Sequence, residues 1–173
     1  MINAIKKEVI LRSKNYNDQI ETIYFGGGTP SLLKIKDIDD IFLTIENNYN
    51  LCNNIEITIE ANPDDFSKEK LKSLSKTKIN RISLGVQTLN DDALKLMRRV
   101  HSSKQSIDSI ENSLLFFKNI SIDLIYGIPN LDINSLDQDL RLSQYYDIKH
   151  ISTYALTVES KTCLLYTSDA ADD

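Results

Sequence analysis

Four short polar clusters recur in this 173-residue chain, each where an apolar run ends. The first is Gly26-Gly27-Gly28-Thr29-Pro30, where missing Cβ atoms let backbone approach a bound group and leave N–H groups directed at it. The others are Glu60-Ala61-Asn62-Pro63, Gly85-Val86-Gln87-Thr88 and the stretch from Asp123 to Gly127-Ile128-Pro129. Glu60 can accept hydrogen bonds from ribose hydroxyls, Gln87 offers donor and acceptor together, and Arg99 is a fixed cation suited to a carboxylate. Together they suit a zwitterionic nucleoside. Nucleotide phosphates are poorly served, because the glycine spacing is not that of the dinucleotide fingerprint and no Walker lysine follows.

The elements that must position these residues alternate in period. Runs rich in Ile, Tyr and Val predict strands over 20–25, 55–61, 81–86, 120–126 and 150–154, most of them apolar at successive positions as in parallel strands covered on both faces. Between them, Ile38, Ile41, Phe42, Ile45 and Tyr49 share one helical face, Leu71 and Leu74 a second, and Ile107, Ile110, Leu114 and Phe117 a third. Ser67, Asn90, Ser102 with Gln105, and Asn134 with Asp137 read as helix starts. A βα repeat of this kind is either a doubly wound sheet or part of a β/α barrel, and periodicity does not choose between them. Both place reactive groups on loops after the strands.

Composition bounds the partners. With 41% hydrophobic residues the chain can bury one domain core, and a net charge of −5 with acidic residues spread along it gives no footprint for nucleic acid or an anionic membrane. A small molecule or a protein is the expected partner. No long apolar span and no apolar leader are read at the N-terminus, so a cytoplasmic location is expected. Cys52 and Cys163 are too far apart for a metal-ligand cluster.

The segments YFGGGTPSLL, IEANPDD, RISLGVQTLND, RRVHSS, IDLIYGIP and HISTYALTVE resemble, in this order, the strand-end motifs of the HemW and oxygen-independent coproporphyrinogen oxidase family of radical S-adenosylmethionine (SAM) proteins. Six motifs in order are far more specific than any one. The resemblance implies an α/β fold, a partial (β/α)₆ TIM-like barrel over residues 1–162 that supplies the second to sixth strands and lacks the first strand and the cluster loop. It implies SAM as cofactor: Gly27, Gly28 and Thr29 would hold its amino group, Glu60 and Gln87 its nucleoside, and Arg99 its carboxylate, with Asp123 and Thr157 as further contacts. It also implies a [4Fe–4S] cluster in the full-length protein, haem or porphyrin as ligand, and a haem-accepting protein as partner.

The CxxxCxxC loop that binds the family's cluster has no counterpart here, so the chain is expected to be an internal fragment without the chemistry by itself. Residues 163–173 resemble a translated sequencing adapter, which would make Cys163 non-native. Outside the motifs, Cys52 reads as an incidental residue of a polar loop at 49–54. His101 reads as a cation near a helix end, His150 as a strand opener, and Tyr126 and Tyr154 as core aromatics. Three functions stay open: a HemW-like haem carrier, a coproporphyrinogen III oxidase that decarboxylates propionates, and a catalytically silent α/β binding domain. The Glu60–Pro63 and Arg99–His101 stretches favour the first.

Overall fold

Five parallel strands pair in chain order: β1 (Ile20–Phe25), β2 (Leu51–Ala61), β3 (Arg81–Gln87), β4 (Asn119–Tyr126) and β5 (His150–Ala155). A computed structural model of the chain describes residues 1–157, so the 163–173 tail and its Cys163 lie outside the described residues. A doubly wound sheet reverses direction at a switch point. An order that never reverses keeps every right-handed crossover on one face and curls the sheet toward a barrel. The result is a curled half-barrel of α/β type.

Six helices accompany the strands among the described residues: α1 (Ile2–Ser13), α2 (Ile35–Glu46), α3 (Lys68–Leu74), α4 (Asp91–Leu96), α5 (Ser103–Leu114) and α6 (Ile133–Tyr145). Ile38, Ile41 and Phe42 of α2, Leu71 and Leu74 of α3 and Ile110 of α5 join one core with Ile57, Ile59, Ile82, Leu84, Ile120 and Ile122. Each fully buried Ile or Leu contributes about 1.5–3 kcal/mol, so this outer layer carries the fold. Truncating Ile59, which has no exposed surface, to alanine would cost about 2–5 kcal/mol.

The alternate strand positions face the bore and are polar. Cover on both faces, expected from the apolar runs, therefore gives way to one covered face and one hydrophilic face. Deep in the bore the Arg81 guanidinium donates to Thr58 Oγ1 at 3.3 Å and lies 3.5 Å from Glu56 Oε1, while Asn119 Nδ2 donates to Glu56 Oε2 at 3.2 Å. One level up, Ser121 Oγ donates to Ser83 Oγ at 2.9 Å. Such pairing is what makes a buried polar layer tolerable.

Three local expectations change. Helix α5 buries Ser106, Ser109, Ile110 and Ser113, and leaves Leu114 exposed, because it lies against the 3₁₀ turn Pro63–Asp65 and α3, where small side chains permit close approach. Helix α6 is capped by Asp132, not Asn134: the carboxylate accepts from the Ser135 N–H at 3.0 Å, and Asn134 lies inside the first turn. Cys52 belongs to β2 instead of a loop, since the strand extends back to Leu51, which pairs with Ile20 ahead of an irregularity in register. Ser67, Asn90 and the reciprocal Ser102–Gln105 pair cap their helices as the sequence predicts.

Candidate functional site

The glycine cluster leaves β1 with two left-handed residues, Gly27 at φ +80° and Gly28 at φ +65°, a backbone that side chains resist. The turn it forms brings the Gly27 N–H onto Glu60 Oε2 at 3.1 Å, tying the first loop to the end of β2. A second tie runs alongside. Asp65 Oδ2 accepts from Ser31 Oγ at 2.6 Å and from the Asn62 N–H at 3.0 Å, so one carboxylate fixes both loops.

These loops and the upper bore enclose a cavity of about 220 Å³. Gly28, Thr29, Glu60, Gln87 and Asp123 line it together, five of the eight residues singled out from sequence, with Asn62, Ser83 and Tyr154 beside them. Gly27 reaches the site through Glu60 and lines a neighbouring apolar cavity under α1. Arg99 is exposed between α4 and α5, and Thr157 is exposed beyond β5; neither lines the cavity.

Two carboxylates, Glu60 and Asp123, face this space with no cation among its lining residues. Burial pushes the Asp123 carboxyl up, Glu60's charge adds to that, and hydrogen bonds from Ser152 and Ser83 oppose it; the Ser83 hydroxyl donates at 3.3 Å. Burial likewise raises the Tyr24 phenol, which Ser83 and Glu60 also contact. The cavity is electronegative and rich in acceptors, suited to hydroxyls, an ammonium or a sulfonium. Two glycines beside it leave little room for a Cβ against the neighbouring side chains. A Cβ on Gly26 would stand 3.0 Å from the Tyr24 ring and 3.1 Å from Glu60 Oε1, and one on Gly85 would stand 2.7 Å from Gln87 Nε2.

Tyr24, Asn62 and Ser83 were not singled out from sequence, although strand alternation from Glu60 and Asp123 gives the face on which Ser83 lies. Tyr126 and Tyr154, expected in the core, are exposed at strand ends, and Tyr154 walls the cavity. His101 is not solvated: it is 3% exposed, and burial pushes its pKa down, against the opposing pull of the Val86 carbonyl and Asp64. Its Nε2 lies 3.3 Å from the Val86 carbonyl.

Among the described residues no group of three or more His, Cys, Asp or Glu side chains could hold a metal ion. Cys52 lies near the start of β2, at the opposite end of that strand from Glu60. The residues present thus fit a polar, cationic small molecule and do not supply an iron–sulfur cluster with ligands. No helix among the described residues is long and apolar enough to cross a membrane.

Known proteins share this sequence pattern and fold. The chain is 40% identical over 144 residues to the "Heme chaperone HemW" of Buchnera aphidicola from Schizaphis graminum and 37% identical over 164 residues to that of Bacillus subtilis. These matches take in 83% and 93% of the chain but 38% and 43% of the relatives' lengths, so it spans about two fifths of each. Among solved structures, coproporphyrinogen III oxidase (HemN) from Escherichia coli superposes with a TM-score of 0.78 at 24% identity, over 90% of this chain and 36% of that one, a likeness of fold. The model of the Radical SAM superfamily matches residues 3–143, and the chain belongs to that superfamily.

Proposed function

We propose that the cavity between the glycine loop and Asp123 binds SAM, and that the chain is the SAM-binding part of a haem-trafficking protein of the HemW kind. One observation carries this reading. The strand-end residues Gly28, Thr29, Glu60, Gln87 and Asp123 converge on one acceptor-rich cavity, in a chain 37–40% identical to proteins named haem chaperones. Superfamily membership implies SAM and a [4Fe–4S] cluster as cofactors. Haem as cargo, and a protein that accepts it, belong to the proposal.

In this reading the left-handed glycine turn presents backbone to the methionine end, while Glu60 and Gln87 take the ribose and adenine side. Asp123 places negative charge near the sulfonium, and Arg99 meets the ligand's carboxylate if the α4–α5 loop folds inward. Bound SAM supplies a sulfonium whose carbon–sulfur bond yields to one-electron reduction. No step is derived for the cluster, because its ligands are not among the described residues.

The test uses the full-length protein, prepared anaerobically. Haem titration with coproporphyrinogen III as competing substrate should give retained haem and no decarboxylation. Turnover of the porphyrinogen with SAM and reductant would replace the carrier reading by the oxidase. A full-length protein without cluster cysteines would leave the silent binding domain. Calorimetric titration of this chain with SAM tests the cavity itself, and an absence of heat would reject the assignment.

A further inference from the structure

Gln87 is the centre of a strained turn. Its φ is +69°, and the Thr88 N–H donates to the Val86 carbonyl at 2.9 Å, closing a three-residue ring around it. This γ-turn geometry is rare and strained, and a non-glycine residue keeps it only where neighbours hold it in place. The turn also interrupts the β3–β4 register, which jumps between Leu84 and Gln87. It therefore decides where the Gln87 amide stands in the cavity.

Two buried ionisable side chains hold the turn from either side, and neither lines the cavity. His101, at the entry to α5, directs Nε2 at the same Val86 carbonyl, 3.3 Å away, and since a carbonyl only accepts, Nε2 is the donor of that contact. Its Nδ1 faces Asp64 Oδ1 at 3.7 Å, an ion pair only when the ring is protonated. Asp139 of α6, 3% exposed, accepts from the Leu89 N–H at 2.7 Å and contacts the fully buried Thr88. A carboxylate buried to this degree needs such partners, and here they are the residues that follow Gln87.

We propose that His101 and Asp139 are positioning residues, a clamp on the turn at Gln87 that sets where its amide meets a ligand. The proposal rests on the SAM reading only for the ligand's identity. Substituting His101→Phe keeps a ring and removes the donor; His101→Gln returns an amide N–H near the Nε2 position. In the native chain the positive φ gives a strong NMR contact between the Gln87 amide proton and its own Hα. His101→Phe should weaken that contact and lower SAM affinity by about fivefold or more, the worth of one lost hydrogen bond. His101→Gln should restore both, and in a Gln87→Ala background His101→Phe should change affinity no further. Asp139→Asn should loosen the same contact from the other side.

A purely packing role predicts the reverse, with Phe tolerated and Gln damaging, and that outcome would overturn the clamp. So would a Gln87 signal and an affinity that ignore His101→Phe. If the native chain binds no SAM yet the Gln87 contact responds to the substitutions, the ligand assignment fails and the clamp stands. Gln87→Gly gives a check that does not depend on the His101 variants folding. Relief of the left-handed strain should raise the thermal midpoint by about 2–4 °C, and a lowered midpoint would remove the strain from the account.

Discussion

Replacing Asp123 by asparagine should make the protein more stable and a worse binder at once. The carboxylate is held among Ser83, Ser152 and Glu60, and burial together with Glu60's charge raises its pKa. Asparagine is isosteric, keeps an acceptor for the Ser83 hydroxyl, and carries no charge to desolvate or repel. A gain of about 0.5–2 kcal/mol follows, or roughly 2–4 °C of thermal midpoint per kcal/mol for a chain of this size. The sign with pH is fixed. Because the folded pKa is raised, the cost of the charge is present above it and fades as pH falls through it, so the gap between variant and parent should narrow from pH 7 toward pH 4. Binding moves the other way. Loss of a charged acceptor is worth about 1.5–3 kcal/mol, about 10- to 150-fold in SAM affinity. Thermal unfolding at several pH values and calorimetric titration read both halves. A lower midpoint at pH 7, or a gap that widens in acid, would refute the reasoning.

Gly85→Ala should leave the thermal midpoint nearly unchanged while weakening SAM binding, since the new Cβ meets only the movable end of Gln87; calorimetry and unfolding together check this. Asp65→Ala should cost about 1–3 kcal/mol, because Ser31 and Asn62 lose their shared acceptor, and denaturant unfolding measures it. Ser113→Ala should stabilise α5 by about 0.5–1 kcal/mol, since the buried hydroxyl has no partner and alanine is the better helix former; a loss in denaturant midpoint would contradict this. His101 contributes a further pH signature. Its folded pKa lies below 6.5, so the unfolded chain binds the extra proton, and stability should fall as pH drops through 6.5 and level off below the folded value. The difference in unfolding free energy between parent and His101→Gln isolates that term.

The strands were legible because runs rich in Ile, Val and Tyr between helical periods leave few alternatives, and a strand lies over each expected run, four of them within one residue at each end. Glu60, Gln87 and Asp123 were legible for the related reason that a polar residue ending an apolar run has few places to go but the sheet's edge. The start of β2 was hidden, since Cys52-Asn53-Asn54 carries no strand propensity and pairs only because β1 is there to receive it. On α5, Ile110 is buried as expected and so is Phe117 just beyond it, but the buried serines were hidden because serine counts as polar in any periodicity, whereas contact with the Pro63–Asp65 turn selects for small volume. His101 escaped because its partner, the Val86 carbonyl, is backbone, and no side-chain pattern announces it. The strand order came from pairing alone.

That order bears on how the chain assembles. Residues paired across neighbouring strands lie 23 to 38 positions apart, as in Ile59 with Ile82 and Ile82 with Ile120, and no strand waits for a distant one. Each βα unit can dock on its predecessor as it leaves the ribosome, and the entropy of closing any one loop stays modest. The cavity obeys a different schedule. Its wall draws on the loop after β1 and then on β2, β3, β4 and β5 in turn, from Gly28 to Tyr154, so this surface is completed only with β5. Nascent chains of increasing length should therefore acquire protease resistance stepwise and SAM binding in a single late step.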